Sequence, residues 1–199
     1  MRDPQNIKEI AALQPDYMGF IFYEKSPRFA GNLDPEIVKV LPATIQRVGV
    51  FVDAPEETIL RTIARYSLDM VQLHGNETPE TCRRIRSACP VIKAISVRTA
   101  EDVIQGAKTF DGQVNYLLFD TKTSLYGGSG EQFDWSALKN QTGKTPFFLS
   151  GGIGPEDAER IAELDFPILH GVDLNSRFEL EPGIKKSDFL RSFLNAFRT

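Results

Sequence analysis

The chain has 199 residues, with 23 Lys and Arg against 27 Asp and Glu and a formal net charge of -4. A hydrophobic content of 41% is typical of a folded globular protein and excludes a disordered chain. The mildly acidic balance, without a run of Lys or Arg, argues against nucleic acid or an anionic membrane as partners. No apolar run approaches the ~20 residues of a membrane helix, and the first residues lack a signal-peptide pattern, so we expect a cytoplasmic protein.

Short apolar segments alternate with helical patterns along the whole chain. The segments are rich in Val, Ile and Phe and almost continuously apolar, which is typical of parallel strands covered on both faces. The predicted strands are residues 18–23, 47–52, 70–73, 91–97, 116–119, 146–149 and 168–174. Several of the intervening segments start with a proline followed by a carboxylate, as in Thr78-Pro79-Glu80, which favours a helix N-terminus.

The strand ends recur about every 25 residues, close to one β-loop-α-loop unit, and eight such units need about 200 residues. We therefore expect an α/β fold, a (β/α)8 TIM-type barrel with seven of its eight strands, as one domain spanning residues 1–199. The first pattern is a helix over residues 4–13, and the period puts the remaining strand just before Met1. The sequence is thus expected to start at an internal methionine. A seven-stranded doubly wound sheet that begins with a helix is the alternative.

The two cysteines, Cys82 and Cys89, are not expected to form a disulfide. They lie seven residues apart on one predicted helix, which separates them by ~10.5 Å along its axis, too far for a bridge. Buried thiols of this kind are ordinary packing groups.

Polar residues follow the ends of the predicted strands, where the active site of a barrel lies. The candidates are Arg28, His74, Asp120, Gly151, Gly152, Asp173, Asn175 and Ser176, together with the glycine-rich residues 127–130. Four of these also have a structural interpretation: Asp120 as a turn cap, Arg28 as a solvated loop residue, His74 as a structural histidine and residues 127–130 as a plain mobile loop. The other histidine, His170, lies early in its strand and is assigned to the opposite, stabilising end of the barrel.

Eight stretches, in this order between Gly19 and Lys185, closely resemble the phosphoribosylanthranilate isomerase family of tryptophan biosynthesis: GFIFYEKSPR, RVGVFV, VQLHGNE, VIKAI, LLFDT, GGSGEQFDW, LSGGI and GVDLNSRFELEPGIK. The resemblance implies a (β/α)8 barrel without cofactor or metal. It also implies a phosphosugar-anthranilate substrate, N-(5-phosphoribosyl)anthranilate, which an Amadori rearrangement converts to 1-(2-carboxyphenylamino)-1-deoxyribulose 5-phosphate. A monomer or homodimer is expected.

The resemblance also assigns roles. Asp120 matches the general acid, and Arg28 matches the residue that holds the anthranilate carboxylate, a task that suits the guanidinium fork. His74 is expected to line the aromatic pocket. Backbone N–H groups of Gly151 and Gly152, with the segment Asp173-Leu174-Asn175-Ser176, are expected to bind the phosphate. Arg177 departs from the family, which often has glycine there.

The larger departure is the catalytic base. The family uses a cysteine at the end of the first strand, and that cysteine is expected two positions before Met1. Neither Cys82 nor Cys89 matches it. We therefore expect the 199-residue chain to be nearly inactive and less stable than a complete barrel. A barrel remnant that binds a phosphosugar without turnover is the alternative function, and a related phosphosugar isomerase or decarboxylase is a weaker third.

Overall fold

The computed structural model describes residues 1–121, 132–141 and 143–198. One sheet contains seven strands: β1 (Tyr17–Ile21), β2 (Gln46–Phe51), β3 (Met70–Leu73), β4 (Val91–Val97), β5 (Tyr116–Thr121), β6 (Phe147–Leu149) and β7 (Leu169–Val172). A hairpin of β8 (Glu179–Glu181) and β9 (Ile184–Lys185) follows. The helices are α1 (Pro4–Ala11), α2 (Pro35–Lys39), α3 (Glu56–Tyr66), α4 (Pro79–Arg86), α5 (Ala100–Phe110), α6 (Ala158–Ala162) and α7 (Ser187–Phe197).

The strands of the sheet follow one another in chain order from β1 to β7, and every neighbouring pair is parallel. A doubly wound sheet reverses its strand order at one point, so this alternative is wrong. The sequential order is that of a barrel, and the prediction of seven strands of a TIM-type barrel is confirmed.

Successive side chains of each strand point to opposite faces of the sheet, and an apolar cluster lies on each face. One face packs against the helices and contains the largest side chains, including Phe20, Phe51 and Phe119. The other face lines the inside of the curve with a smaller cluster made of Val48, Met70, Ile92, Ala94, Leu118 and Phe148. Covering both faces explains why the strands are almost continuously apolar in sequence.

Strands β1 and β7 are the two edges of the described sheet and do not pair with each other. The Met1 nitrogen lies at the β1 edge and donates a hydrogen bond to Gly19 O at 2.8 Å. At the amino-terminal ends of these two strands, the hydroxyl of Tyr17 on β1 lies 2.7 Å from Nε2 of His170 on β7. His170 lies near the amino-terminal end of β7, and this contact joins the two edges of the sheet. Burial lowers the pKa of His170.

The C-terminal hairpin is anchored to the first helix. The Asn6 side chain on α1 accepts a hydrogen bond from the Lys185 N–H at 2.7 Å and donates one to Lys185 O at 2.9 Å. Asn6 is itself buried, so both amide groups are paired as a buried position requires. This anchor places Glu179 and Lys185 beside the inside of the barrel.

Helix starts follow the predicted chemistry. Thr78 caps α4 through a hydrogen bond that its hydroxyl oxygen accepts from the Thr81 N–H at 3.2 Å, with Pro79 in the first turn. The last helix, predicted over residues 187–198, spans Ser187–Phe197 and buries Leu190 and Phe193. Among the described residues, no helix is long and apolar enough to cross a membrane.

Candidate active site

A cavity of about 630 Å³ lies on the concave side of the sheet. All the predicted site residues within the described part of the chain line it: Arg28, His74, Asp120, Gly151, Gly152, Asp173, Asn175 and Ser176. They come from loops after β1, β3, β6 and β7 and from the end of β5. The glycine-rich residues 127–130 lie outside the described residues.

Asp120 faces His74 at the carboxyl ends of β5 and β3. The carboxylate Oδ2 lies 3.3 Å from His74 Nε2, and both side chains are about one-quarter exposed. On the other side of the ring, His74 Nδ1 lies 3.1 Å from the amide oxygen of Gln72. Because an amide oxygen only accepts, this contact favours the tautomer with a proton on Nδ1, and Nε2 is the nitrogen that faces Asp120. Asp120 is therefore held at the rim with one oxygen engaged.

Asp173 is a second carboxylate close to Asp120. Its Oδ2 lies 3.3 Å from the Ser150 hydroxyl. Burial raises the pKa of Asp173, and the neighbouring charge of Asp120 raises it further, whereas Lys185 and His74 act in the opposite direction. Two carboxylates in one cavity with different surroundings are an arrangement that separates acid from base roles.

Arg28 forms a buried ion pair with Glu179. Its Nε lies 3.0 and 2.9 Å from the two carboxylate oxygens, and its Nη2 lies 2.7 Å from Oε2. The side chains are only 8% and 4% exposed. The Nη1 group has no described hydrogen-bond partner, and Arg28 lines the cavity. Arg28 thus offers one nitrogen to the cavity.

Lys185 adds a second cation beside Glu179. Its ammonium donates to Glu179 Oε1 at 3.1 Å and to Asn175 Oδ1 at 2.8 Å. Burial lowers the pKa of Lys185, although Glu179 opposes that shift. Burial would raise the pKa of Glu179, but the hydrogen bond from Arg28 and the charge of Lys185 bring it below its ordinary value. Two cations around one carboxylate favour a further anion.

The loop after β6 has a backbone that only glycine adopts without strain. Gly151 has φ +89° and Gly152 has φ +67°. A Cβ on Gly151 would lie 2.2 Å from the Thr121 hydroxyl oxygen and 2.5 Å from the Thr121 backbone nitrogen. No described group accepts a hydrogen bond from the N–H of Gly151 or Gly152. The loop therefore presents free backbone donors at the cavity, as an anion site requires.

The helix behind this loop is short and starts with a tighter turn. Residues Pro155–Asp157 form a 3-10 turn, and α6 has only five residues. The Asp157 side chain accepts a hydrogen bond from the Gly154 N–H at 2.8 Å. A carboxylate therefore already caps this helix start.

Arg177 ties together the loops after β6 and β7. Its guanidinium lies 3.3 Å from Gly152 O and forms an ion pair with Glu156. Arg177 therefore holds the back of the loop that contains Gly151 and Gly152.

Comparison with known proteins agrees with this geometry. The model of the family described as N-(5′-phosphoribosyl)anthranilate (PRA) isomerase matches residues 1–196. The chain belongs to the PRA isomerase family. It is 46% identical to the N-(5′-phosphoribosyl)anthranilate isomerase of Parabacteroides distasonis over 98% of this chain and 89% of the relative. The corresponding isomerase of Phocaeicola vulgatus is 41% identical over 100% of this chain and 95% of the relative.

Solved structures of the PRA isomerase family share the fold. The phosphoribosyl anthranilate isomerase of Thermus thermophilus superposes with a TM-score of 0.87 at 30% identity, covering 100% of this chain and 95% of that one. A phosphoribosyl anthranilate isomerase in complex with reduced 1-(o-carboxyphenylamino)-1-deoxyribulose 5-phosphate superposes with a TM-score of 0.82, also at 30% identity and with the same coverage.

The cysteines lie away from the cavity that this PRA isomerase family member presents. Cys82 on α4 and Cys89 after it are free and buried, as predicted, and neither lines the cavity. Burial raises the pKa of each thiol to about 11. Neither is suited to act as a base near neutral pH. Among the described residues, no group of three or more His, Cys, Asp or Glu side chains could hold a metal ion.

Several charged residues around the site were missed in the sequence. Glu179 and Lys185 support Arg28, and Lys93 and Glu77 form a second buried ion pair behind His74. Lys93 carried a signal, because it is a single charge inside the apolar strand Val91–Val97. Glu179 carried none, since its partner Arg28 lies more than a hundred residues earlier, and Lys185 is paired with Glu179.

Proposed function

We propose that this chain isomerises N-(5′-phosphoribosyl)anthranilate to 1-(2-carboxyphenylamino)-1-deoxyribulose 5-phosphate in tryptophan biosynthesis, at a reduced rate because no cysteine base lines the described cavity. One observation carries the proposal. A single cavity contains the carboxylate of Asp120, the guanidinium of Arg28 and a loop at Gly151 and Gly152 whose backbone N–H groups have no described acceptor. The substrate has three matching parts: a ring oxygen that must be protonated, a carboxylate and a phosphate. A family member has been crystallised with a reduced form of the product.

In the proposed reaction, Asp120 supplies the first proton. Protonation of the ribose ring oxygen breaks its bond to C1′, while the nitrogen lone pair forms the C=N bond of a Schiff base. Removal of the C2′ proton then moves that electron pair into a C1′=C2′ bond, giving an enolamine. Transfer of a proton to C1′ and loss of the 2′-hydroxyl proton complete the ketone. Asp120 needs its proton at the start and accepts one back at the end.

The two ends of the substrate are proposed to bind on either side of Asp120. Arg28 receives the anthranilate carboxylate through the Nη1 end of its guanidinium, because Glu179 already occupies Nε and Nη2. The phosphate lies against the N–H groups of Gly151, Gly152, Asn175 and Ser176. His74 lies beside Asp120, where it lines the pocket for the aromatic ring.

Turnover of phosphoribosylanthranilate by the purified chain is the direct test. Product is followed chromatographically, and binding of the reduced product analogue is measured in parallel by calorimetry. Turnover supports the isomerase. Tight binding without any turnover would instead favour the phosphosugar-binding alternative.

Gly151→Ala is expected to weaken phosphate binding about tenfold or more. Alanine at φ +89° is strained, and its Cβ would meet the Thr121 backbone, so the loop must shift. Affinity for inorganic phosphate and KM for the substrate report the change. Gly112→Ala is the matched control, because Gly112 has φ +70° but nothing within 4 Å of an added Cβ. Equal phosphate affinity in the two variants would show that the loop of Gly151 and Gly152 does not bind the phosphate.

The double variant Cys82→Ser, Cys89→Ser is expected to keep the turnover of the parent chain. Neither thiol reaches the cavity, and so no described cysteine removes the C2′ proton. We expect that step to limit the rate, so deuterium at C2′ should slow turnover severalfold. Loss of turnover in the double variant, or the absence of an isotope effect, would contradict this assignment.

We further propose a cytoplasmic enzyme that acts on a free small molecule, as a monomer or homodimer. The phosphoribosylanthranilate isomerase of Thermotoga maritima, a member of the same family, is dimeric and has also been crystallised as monomers generated from the dimer. Equilibrium sedimentation of the purified chain distinguishes the two assemblies.

A further inference from the structure

A buried ion pair lies directly behind His74, outside the cavity lining. Lys93 on β4 is 3% exposed, and its ammonium donates to Leu73 O at 3.1 Å, Gly75 O at 2.7 Å and Glu77 Oε2 at 3.0 Å. An ammonium has three donors, and all three are used here. The two carbonyls belong to the residues on either side of His74. The charge of Lys93 therefore fixes the backbone that carries the imidazole.

Glu77 extends this arrangement to the neighbouring loop. Its Oε1 accepts hydrogen bonds from the backbone nitrogens of Asp53 at 3.0 Å and Gly75 at 3.2 Å, and Asp53 follows β2. The Asp53 side chain in turn accepts from the Asn76 N–H at 2.6 Å. A Cβ on Gly75 would lie 2.4 Å from Asp53 Oδ1, so the two loops are in close contact. The residues around His74 have little freedom to shift.

The His74 ring connects this pair to the proton donor. Gln72 holds Nδ1 and leaves Nε2 facing Asp120 at 3.3 Å. A shift of the backbone at residues 73–75 would change that distance directly. Misplacement of a reacting group by about 1 Å can cost a factor of about 100 in rate.

Stability alone does not account for a buried pair in this position. Taking both charges out of water is costly, and replacing such a pair by apolar side chains is often neutral or stabilising. We propose that Lys93 and Glu77 are positioning residues for the reaction, acting through His74 on Asp120. The inference rests on the proposed function, since it takes Asp120 to be the proton donor.

The test removes both charges together, so that neither is left buried alone. The variant is Lys93→Met, Glu77→Leu. The matched control is Arg47→Met, Asp69→Leu, an ion pair at 2.7 Å that also joins adjacent strands but lies at the opposite end of β2 and β3. Turnover gives kcat and KM for phosphoribosylanthranilate. The chain has two histidines, so the imidazole ¹⁵N signals of His74 are readily assigned, with His170 as an internal reference.

We expect the Lys93–Glu77 variant to lose at least tenfold in kcat with KM within twofold, and its His74 signals to move while those of His170 stay. The control should keep kcat within twofold and leave the His74 signals unchanged. If the Lys93→Met, Glu77→Leu variant folds and keeps both kcat and the His74 signals, the inference is wrong. An equal loss of kcat in both variants would also overturn it. If the Lys93→Met, Glu77→Leu variant does not fold, kcat, KM and the His74 signals are measured in the single variant Lys93→Arg. That variant retains the positive charge but changes the hydrogen-bond geometry.

Failure of the proposed function has a different signature. In that case the parent chain shows no isomerisation, or Asp120→Asn leaves turnover intact, whereas the His74 signals still respond to Lys93 and Glu77.

Discussion

Asp120→Asn is expected to slow isomerisation by about 10²–10⁴, the usual loss when one general acid is removed. Asparagine has nearly the same shape and preserves a contact to His74, but it cannot deliver a proton to the ring oxygen. Since ring opening comes first, the later steps have no substrate. The affinity for the reduced product analogue, which needs no proton transfer, should change severalfold at most.

Turnover and analogue binding of Asp120→Asn are best measured beside Asp134→Asn. Asp134 is an exposed carboxylate whose side chain caps the 3-10 turn at Trp135–Asn140, and it does not line the cavity. An effect that arises from removing any carboxylate appears in both variants. Near-parental turnover of Asp120→Asn would show that Asp120 does not take part in the mechanism. An equal loss of turnover in Asp120→Asn and Asp134→Asn would mean that the effect arises from lower stability.

The strands were predictable because burial on both faces leaves almost no polar residue within them. The boundary at β5 shows the limit of that signal. The predicted strand stopped at Phe119, yet Asp120 and Thr121 continue the ladder opposite Ser96 and Val97. Polar side chains at the carboxyl end of a strand end the apolar pattern before they end the backbone pairing. Asp120 therefore stands on a strand, where its backbone is held more firmly than in a loop.

The supporting residues of the site were less predictable for a physical reason. A charged residue is buried only when its partner is present, and that partner is set by the fold. Glu179 and Lys185 lie on strands of three and two residues that show no alternation. Their burial depends on Arg28 and on the anchor at Asn6, both far away in sequence. Local pattern carries no information on such pairs.

Arg28→Met is expected to lower the free energy of unfolding by about 3 kcal/mol at pH 7. Removing one partner of a buried ion pair leaves an uncompensated charge and typically costs about 3–5 kcal/mol. The lower end applies because Lys185 still donates to Glu179 at 3.1 Å. For a chain of this size, that loss lowers the melting temperature by about 6–12 °C. Affinity for the carboxylate-bearing product analogue should fall as well.

Arg2→Met is the matched control for this loss of stability. Arg2 pairs with Glu181 on the same hairpin at 3.6 Å, but the side chains are 40% and 66% exposed. Exposed pairs contribute about 0–1 kcal/mol, because water and salt screen the charges. Denaturant unfolding of the parent and both variants gives the comparison. Similar decreases in the free energy of unfolding of Arg28→Met and Arg2→Met would show that the buried pair contributes no more to stability than the exposed one.

The difference between Arg28→Met and the parent should also depend on pH. In the parent, the pKa of Glu179 lies below its ordinary value, so its contribution to stability is present above the unfolded pKa of about 4.3 and lost as the pH falls through the folded one. In Arg28→Met the same carboxylate is buried with less compensation, and protonation relieves that cost. The two unfolding free energies should therefore converge below about pH 4. A difference that stays constant from pH 7 to pH 3 would mean that Arg28 stabilises the fold through packing of its methylene groups rather than through its charge.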